Sequence, residues 1–453
     1  MITFKPRMTW GRKQLIRQFE EVDNAPIVLF RMFFGFLLFA ESLGAIVTGW
    51  VDKTLIDPQF TFNLIGFDWI QPLPGYGMYY YYGLMALCGI AVMIGFYYRI
   101  SLSVFTVMWT IVYWMQKTHY NNHYYLLILL CLFMLIVPAH AYASLDAKRK
   151  NAVVSLTCPR WCIDIFKIQL LIVFTYAALN KLYPGWLEGD FISIMFRGKR
   201  NYWLIGPILQ KEWLQQIVVI GGILFDLFII YLLAWKRTRW MAFGLSLVFH
   251  LFNSAVFQIG IFPYLMLGVC ALFFEPETIR RRFFKKKPQL TLSPDLSQLT
   301  ARRKLVITAF GAYFILQVLL PVRHLLYKGD AFYTEEGHRL SWRMMLRAKS
   351  GNARFEVTHV ASDSTWVVNN REFLSRDQNR AMAGKPDMIW QYAQRLKEHY
   401  AAEGLAPVEI RVKSTVRLNG GTSHTLIDPE ADLASLKWES YKHSDWIWSP
   451  DME

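Results

Sequence analysis

Residues 214–235 read LQQIVVIGGILFDLFIIYLLAW, an apolar run in which Asp226 is the only charge. As a helix rising 1.5 Å per residue it covers about 33 Å, enough to cross a hydrocarbon layer about 30 Å thick. Working outward from it, the same pattern recurs at 27–49, 78–98, 100–115, 123–142 and 163–183, then at 239–257, 259–274 and 304–322. The stretches at 100–115 and 259–274 are short, and the second reads as re-entrant or tilted. The predicted fold is an α-helical polytopic membrane domain of eight or nine transmembrane helices. A small mixed, mainly β extracytoplasmic domain follows it. Composition agrees: 54% of the 453 residues are hydrophobic and 18% charged, against about 25% charged in soluble domains.

The net charge of +15 first suggests a nucleic-acid partner, but its distribution argues against one. Residues 324–453 carry 17 basic and 18 acidic side chains, so the excess lies in the membrane part. With the N-terminus inside, cytoplasmic segments hold 22 basic residues and the opposite loops six. That is the positive-inside bias. It predicts a cytoplasmic segment 1–26, a membrane domain 27–323 and an extracytoplasmic domain 324–453. Segment 1–26 is polar and basic, unlike a cleavable signal peptide. The run from Arg280 to Lys287 reads as a juxtamembrane patch for anionic lipid.

In the C-terminal part, 353–360, 365–369 and 408–418 alternate like strands, and 385–400 has helical periodicity. Asn419-Gly420-Gly421 is a turn signal. A β-sandwich or roll with one helix is expected. Cys88, Cys131 and Cys270 read as apolar fillers in spans, while Cys158 and Cys162 flank the fifth. The external domain has no cysteine and the chain no N-x-S/T sequon, which favours a bacterial source and an inner-membrane location.

Ionisable residues inside spans are expensive and usually functional. Arg31, Glu41 and Asp226 read most simply as structural ion pairs, and Lys167 as a snorkelling lysine. Four polar motifs from distant segments reach the outer end of the membrane domain: Asn121-Asn122-His123, Asn180-Lys181, His250 with Asn253, and His324. A desolvated lysine amine can act as a general base, and on chemistry alone as a Schiff-base nucleophile. The competing reading is a snorkelling lysine at a helix end. His119 and His123, four apart, suggest a metal pair on one helical face. No third ligand has matching spacing, so no metal is predicted.

The same stretches resemble the vitamin K-dependent gamma-glutamyl carboxylase family. They are Tyr120-Asn121-Asn122-His123-Tyr124-Tyr125-Leu126, Lys181-Leu182-Tyr183-Pro184-Gly185-Trp186-Leu187-Glu188-Gly189, the segment from Phe249-His250 through Asn253-Ser254 to Tyr264, and Leu340-Ser341-Trp342-Arg343-Met344-Met345. The resemblance runs from about residue 20 to 450 and includes Asp387-Met388 and Ile427-Asp428-Pro429.

The resemblance implies a membrane enzyme using vitamin K hydroquinone, O2 and CO2. A lysine deprotonates the quinol, and oxygenation gives an epoxide and a strong base. That base removes a γ-proton from a peptide glutamate, and the carbanion captures CO2. Lys181 is then the catalytic base in its neutral form, and Asn122 and His123 orient the quinol. Asn121, His250, Asn253 and Trp186 are quinol-binding candidates. His324, Tyr333 and Trp342 line the mouth for a Glu-containing peptide or protein. Membrane lipid and quinol are the other expected partners. The segment 329–338 departs from the family pattern, so epoxidation without peptide carboxylation is an alternative. A transporter or lipid-binding protein retaining the fold, or a scaffold, is another, although no inverted repeat supports transport.

Overall fold

The structure is a computed structural model that describes residues 10–150, 152, 154–290 and 299–452. Lys5 and Arg7, counted in the positive-inside bias, lie outside the described residues. The membrane part is a bundle of antiparallel helices. Ala25–Val47, Gly77–Ile94, Trp161–Leu179, Glu212–Ala234, Arg239–Phe257 and Ala301–Leu326 are long and apolar enough to cross a membrane. The pair Phe262–Phe273 and Pro276–Phe283, bent by 111°, makes a seventh if counted as one span. Eight or nine complete spans are therefore not reached among the described residues. Asn122–Ile136 has 15 residues, about 22 Å of helix, because Asn121 caps its start and Pro138 follows its end. Tyr98–Met115 is diluted by Arg99, Ser101, Ser103, Thr106 and Thr110.

Contacts between helix ends define two faces. On one, β1 (Glu21–Asp23) pairs with β2 (Thr157–Pro159), and Asp146 accepts from the amides of Tyr97 and Tyr98 at 2.9 and 2.8 Å. Lys236 pairs with Glu275 at 2.8 Å on the same face. Lys287 is buried there against Asp23 and Asn24, so this member of the basic run serves the fold rather than lipid. The opposite face carries the C-terminal domain: Gln59 donates to the Glu372 carbonyl at 2.7 Å and Lys117 meets Asp387 at 2.6 Å.

Glycines let the first two membrane helices touch. A Cβ on Gly35 would lie 2.2 Å from the Met93 nitrogen, and one on Gly89 2.4 Å from the Phe39 nitrogen. Small residues permit such close backbone approach inside membranes. The expected ion pairs among Arg31, Glu41 and Asp226 do not form. Arg31 donates to the carbonyls of Ala139, Tyr142 and Ala143, Glu41 accepts from the Tyr124 hydroxyl at 2.9 Å, and Asp226 meets Lys181. Lys167 pairs with Asp164, one turn before it.

The C-terminal domain is one four-stranded antiparallel sheet in the order β4-β3-β5-β6, rather than a sandwich or roll. Its strands are β3 (Lys349–His359), β4 (Ser364–Val367), β5 (Val408–Leu418) and β6 (Ser423–Thr425). Alternate residues of β5, from Val408 through Ile410, Val412 and Val416, are buried. They join Phe355, Val357 and the apolar face of Pro386–Ala402 in one core. The helix does the work that a second sheet would otherwise do.

Candidate active site

Lys181 follows the end of helix Trp161–Leu179, and its side chain turns back to donate to the Ala177 carbonyl at 3.2 Å. Its amine also contacts the Asp226 carboxylate. Both residues are buried, at 8% and 6% exposure. The ring of Trp186 lies 5.2 Å from the amine and is fixed by its own N–H, donated to the Val219 carbonyl at 3.2 Å. These groups face a narrow, mainly apolar cavity of about 90 Å³. His123, His250 and Asn253 line it with them. The His123 ring lies 4.0 Å from that of Phe262. His250 is buried, and its Nδ1 has no hydrogen-bond partner among the described residues.

Five sequence candidates thus converge: Lys181, His123, His250, Asn253 and Trp186. The other five sit elsewhere. Asn121 caps its helix, accepting from the Tyr124 amide at 2.8 Å. Asn122 donates to the Arg343 carbonyl at 3.0 Å. Trp342 is fully buried and stacked on Tyr125. His324 Nδ1 lies 2.9 Å from the Pro321 carbonyl, and the Tyr333 carbonyl accepts from Lys349 at 2.5 Å. His119 and His123 do not share a helical face, because the helix starts at Asn122. His119 lies in a separate turn beside Thr54 and Trp50. Among the described residues no three metal-binding side chains cluster.

Three further lining residues were not among the expected site residues: Asp226, expected in a structural ion pair, and Met344 and Met345, which form a wall. That wall belongs to a constrained segment: Leu340, Trp342 and Met345 all have φ between 49° and 58°, a conformation that costs L-residues about 1–2 kcal/mol each. Side chains from the membrane helices and loops hold it. The Tyr120 hydroxyl accepts from the Leu340 amide at 2.6 Å, Asn180 donates to the Ser341 carbonyl at 3.3 Å, and Tyr183 donates to the Leu346 carbonyl.

Met345 also lines a second, larger chamber of about 530 Å³ on the soluble-domain side. Arg339, Arg343, Arg347, Lys349, Arg380 and Lys385 make this chamber strongly basic, against Glu335 and Asp377. Three of the arginines recur every four residues, a visible but overlooked signal. Arg343 lies over the Phe332 ring at 4.6 Å, and its Nε and Nη1 have no hydrogen-bond partner among the described residues. Burial pushes the Lys349 amine down to about 8, although Glu335 opposes the shift. Burial opposes ionisation of Glu335 too, but Arg347 and Lys349 hold its carboxyl well below the usual range. The chamber therefore presents fixed cations suited to a carboxylate.

The sequence was compared with known families and structures. The HTTM domain family model matches residues 19–277, more than half of the chain. The model of the vitamin K-dependent gamma-carboxylase lumenal domain matches residues 302–453. No solved structure matches. The buried lysine at the membrane-domain cavity and the two consecutive family domains lead to one assignment: the chain belongs to the vitamin K-dependent gamma-glutamyl carboxylase family.

Proposed function

We propose that the Lys181–Asp226 cavity deprotonates a vitamin K-type hydroquinone, and that its oxygenation drives carboxylation of a glutamate-bearing substrate entering through the basic chamber. The observation that carries this reading is the buried contact between the Lys181 amine and Asp226. The contact refines the lone-lysine picture. Moving one proton from the ammonium to Asp226 leaves the net charge unchanged and yields a neutral amine. That amine takes the quinol O–H proton; the ammonium so formed has the quinol anion as its counter-ion, and the protonated Asp226 beside it accepts from it through its carbonyl oxygen. His123 and Asn253 supply hydrogen-bonding groups for ring oxygens, and Trp186 and Phe262 supply flat apolar walls. At about 90 Å³ the cavity is below the about 300 Å³ typical of ligand sites. Quinol entry therefore requires part of the cavity lining to move, and the unbranched side chains of Met344 and Met345 are its most adaptable part.

Met345, common to cavity and chamber, sets the geometry of coupling. Family chemistry forms the strong base from the quinol and O2, and the base must reach a γ-carbon held in the chamber. Arg343 and Lys349 are proposed to hold the substrate carboxylate. The C-terminal domain is extracytoplasmic in this reading, supported by the charge bias and by its position opposite the basic run at 280–286.

The test is an assay of the detergent-solubilised protein with reduced vitamin K, oxygen, a Glu-containing peptide and labelled CO2. Epoxide and labelled peptide are expected from the wild type, and neither from Lys181→Ala. Absence of epoxide across several quinols rejects the enzymatic reading. Epoxide without labelled peptide restricts the protein to epoxidation.

A further inference from the structure

A second cavity in the membrane domain, of about 260 Å³, lies at the soluble-domain end of the first membrane helices. Its walls are aromatic: Trp50, Tyr82, Trp109, Tyr113, Tyr120 and Tyr124. Ala40, Gly44, Ala45 and Gly260 leave the space between them. Glu41 faces this space with Tyr124 as its hydrogen-bond donor at 2.9 Å. Trp109 is 4% exposed, and its indole N–H has no hydrogen-bond partner among the described residues. An unmet buried donor costs about 1–3 kcal/mol, so the cavity is built for an occupant that accepts a hydrogen bond.

An acyl chain fits the apolar walls but leaves the Trp109 N–H unmet. A flat ring carrying oxygen satisfies both: its faces stack on the aromatic walls, one oxygen accepts from Trp109, and a hydroxyl of the reduced ring donates to Glu41. The place is consistent. His123 lines the Lys181 cavity and Tyr124 lines this one, on successive residues of one helical turn. Ile259 and Gly260 divide in the same way. We propose that this cavity is a second binding site for a quinone-class ring, beside the site that does the chemistry. The inference rests on the quinol reading of the Lys181 cavity.

Photolabelling of the full chain with an aryl-azide derivative of 1,4-naphthoquinone, followed by peptide mapping, tests it. Two labelled sets are expected, one around Trp109–Tyr113 and one around Lys181–Trp186. Gly44→Phe fills the second cavity, since a Cβ at Gly44 meets nothing within 4 Å. It should reduce the first set about tenfold and leave the other unchanged; Trp109→Phe, which removes only the donor, should weaken the first set by a similar factor. Labelling confined to the Lys181 cavity overturns the inference alone. So does labelling near Trp109 that Gly44→Phe leaves intact. Labelling near Trp109 only supports the second site and removes the quinol reading of the first. No specific labelling at either overturns both.

Discussion

The Lys181–Asp226 contact makes stability and activity separable. Lys181→Met leaves Asp226 buried without its cation, and Asp226→Leu leaves the ammonium without its carboxylate. Breaking a buried pair from one side costs about 3–5 kcal/mol, whereas replacing both partners with apolar residues is often neutral or stabilising by about 1–4 kcal/mol. For a chain of this length, at about 2 cal/mol/K per residue, 1 kcal/mol moves Tm by about 1 °C. Each single variant should therefore melt about 3–5 °C lower, and the double variant close to wild type. Activity should not follow: loss of a general base costs about 10²–10⁴-fold, so Lys181→Met and the double variant should lose epoxide formation to that extent, and Asp226→Leu, which keeps the amine but removes the group that takes its proton, should lose part of it. Asp226→Glu, which keeps the charge, should recover some of that loss. Thermal unfolding in detergent and chromatographic epoxide assays on the same preparations give both numbers. A double variant that still forms epoxide would refute Lys181 as the base. Singles as stable as wild type would show that the contact contributes nothing. Equal destabilisation of singles and double would assign the energy to packing instead of charge.

Three further outcomes follow from the geometry. Met345→Ala thins the wall common to cavity and chamber, so carboxylation per epoxide formed should fall several-fold while epoxide formation persists; an unchanged ratio in a dual assay would remove the wall from coupling. The KM for an acidic peptide should rise as pH passes upward through about 8, because Lys349 is charged below that value and neutral above it; the affinity it supplies is present at low pH and lost at high pH, worth about tenfold for one partly screened charge. Lys349→Arg should move that rise to higher pH, measured by initial rates across a pH series. Gly35→Val places side-chain atoms where the Met93 backbone already lies, so it should cost at least the about 1–3 kcal/mol of ordinary overpacking; a folded yield equal to wild type by gel filtration would contradict that helix crossing.

Much of the architecture was legible because lipid imposes a simple requirement: long apolar runs appear wherever a helix meets it. The 214–235 run became Glu212–Ala234, within two residues at each end. A segment that packs mainly against protein escapes that requirement, since its length is then free. Asn122–Ile136 is an instance: its residues Leu126, Leu127, Leu130 and Cys131 are buried among other helices, so a 15-residue helix serves where hydropathy suggests a span. In the soluble domain, β5 was legible to the residue from its alternation. The expected sandwich failed because periodicity shows that a strand has a buried face but not what covers it. Here a helix covers it.

The site was legible as a depth and only partly as a set of contacts. The polar residues expected at one membrane level include Lys181, His123, His250 and Asn253, which line one cavity; burying each separately would be costly. Asn121 and Asn122, from the same motif, do not line that cavity. A buried amide can meet its cost by holding backbone, and these two do so, at Tyr124 and Arg343. Asp226 was expected in an ion pair and is in one, but its partner was not foreseen. Forty-five residues separate it from Lys181 in sequence, and only the crossing of helices Trp161–Leu179 and Glu212–Ala234 joins them. Least visible was the 340–345 segment, whose left-handed residues carry no glycine to announce them. Such conformations persist only when the surroundings impose them, and the imposing groups, Tyr120 and Asn122, then Asn180 and Tyr183, come from two distant stretches. If that support positions Met345, then Asn180→Ala should release the segment and reduce carboxylation per epoxide as Met345→Ala does, without touching either cavity. An Asn180→Ala protein with wild-type coupling would place the strain outside the mechanism.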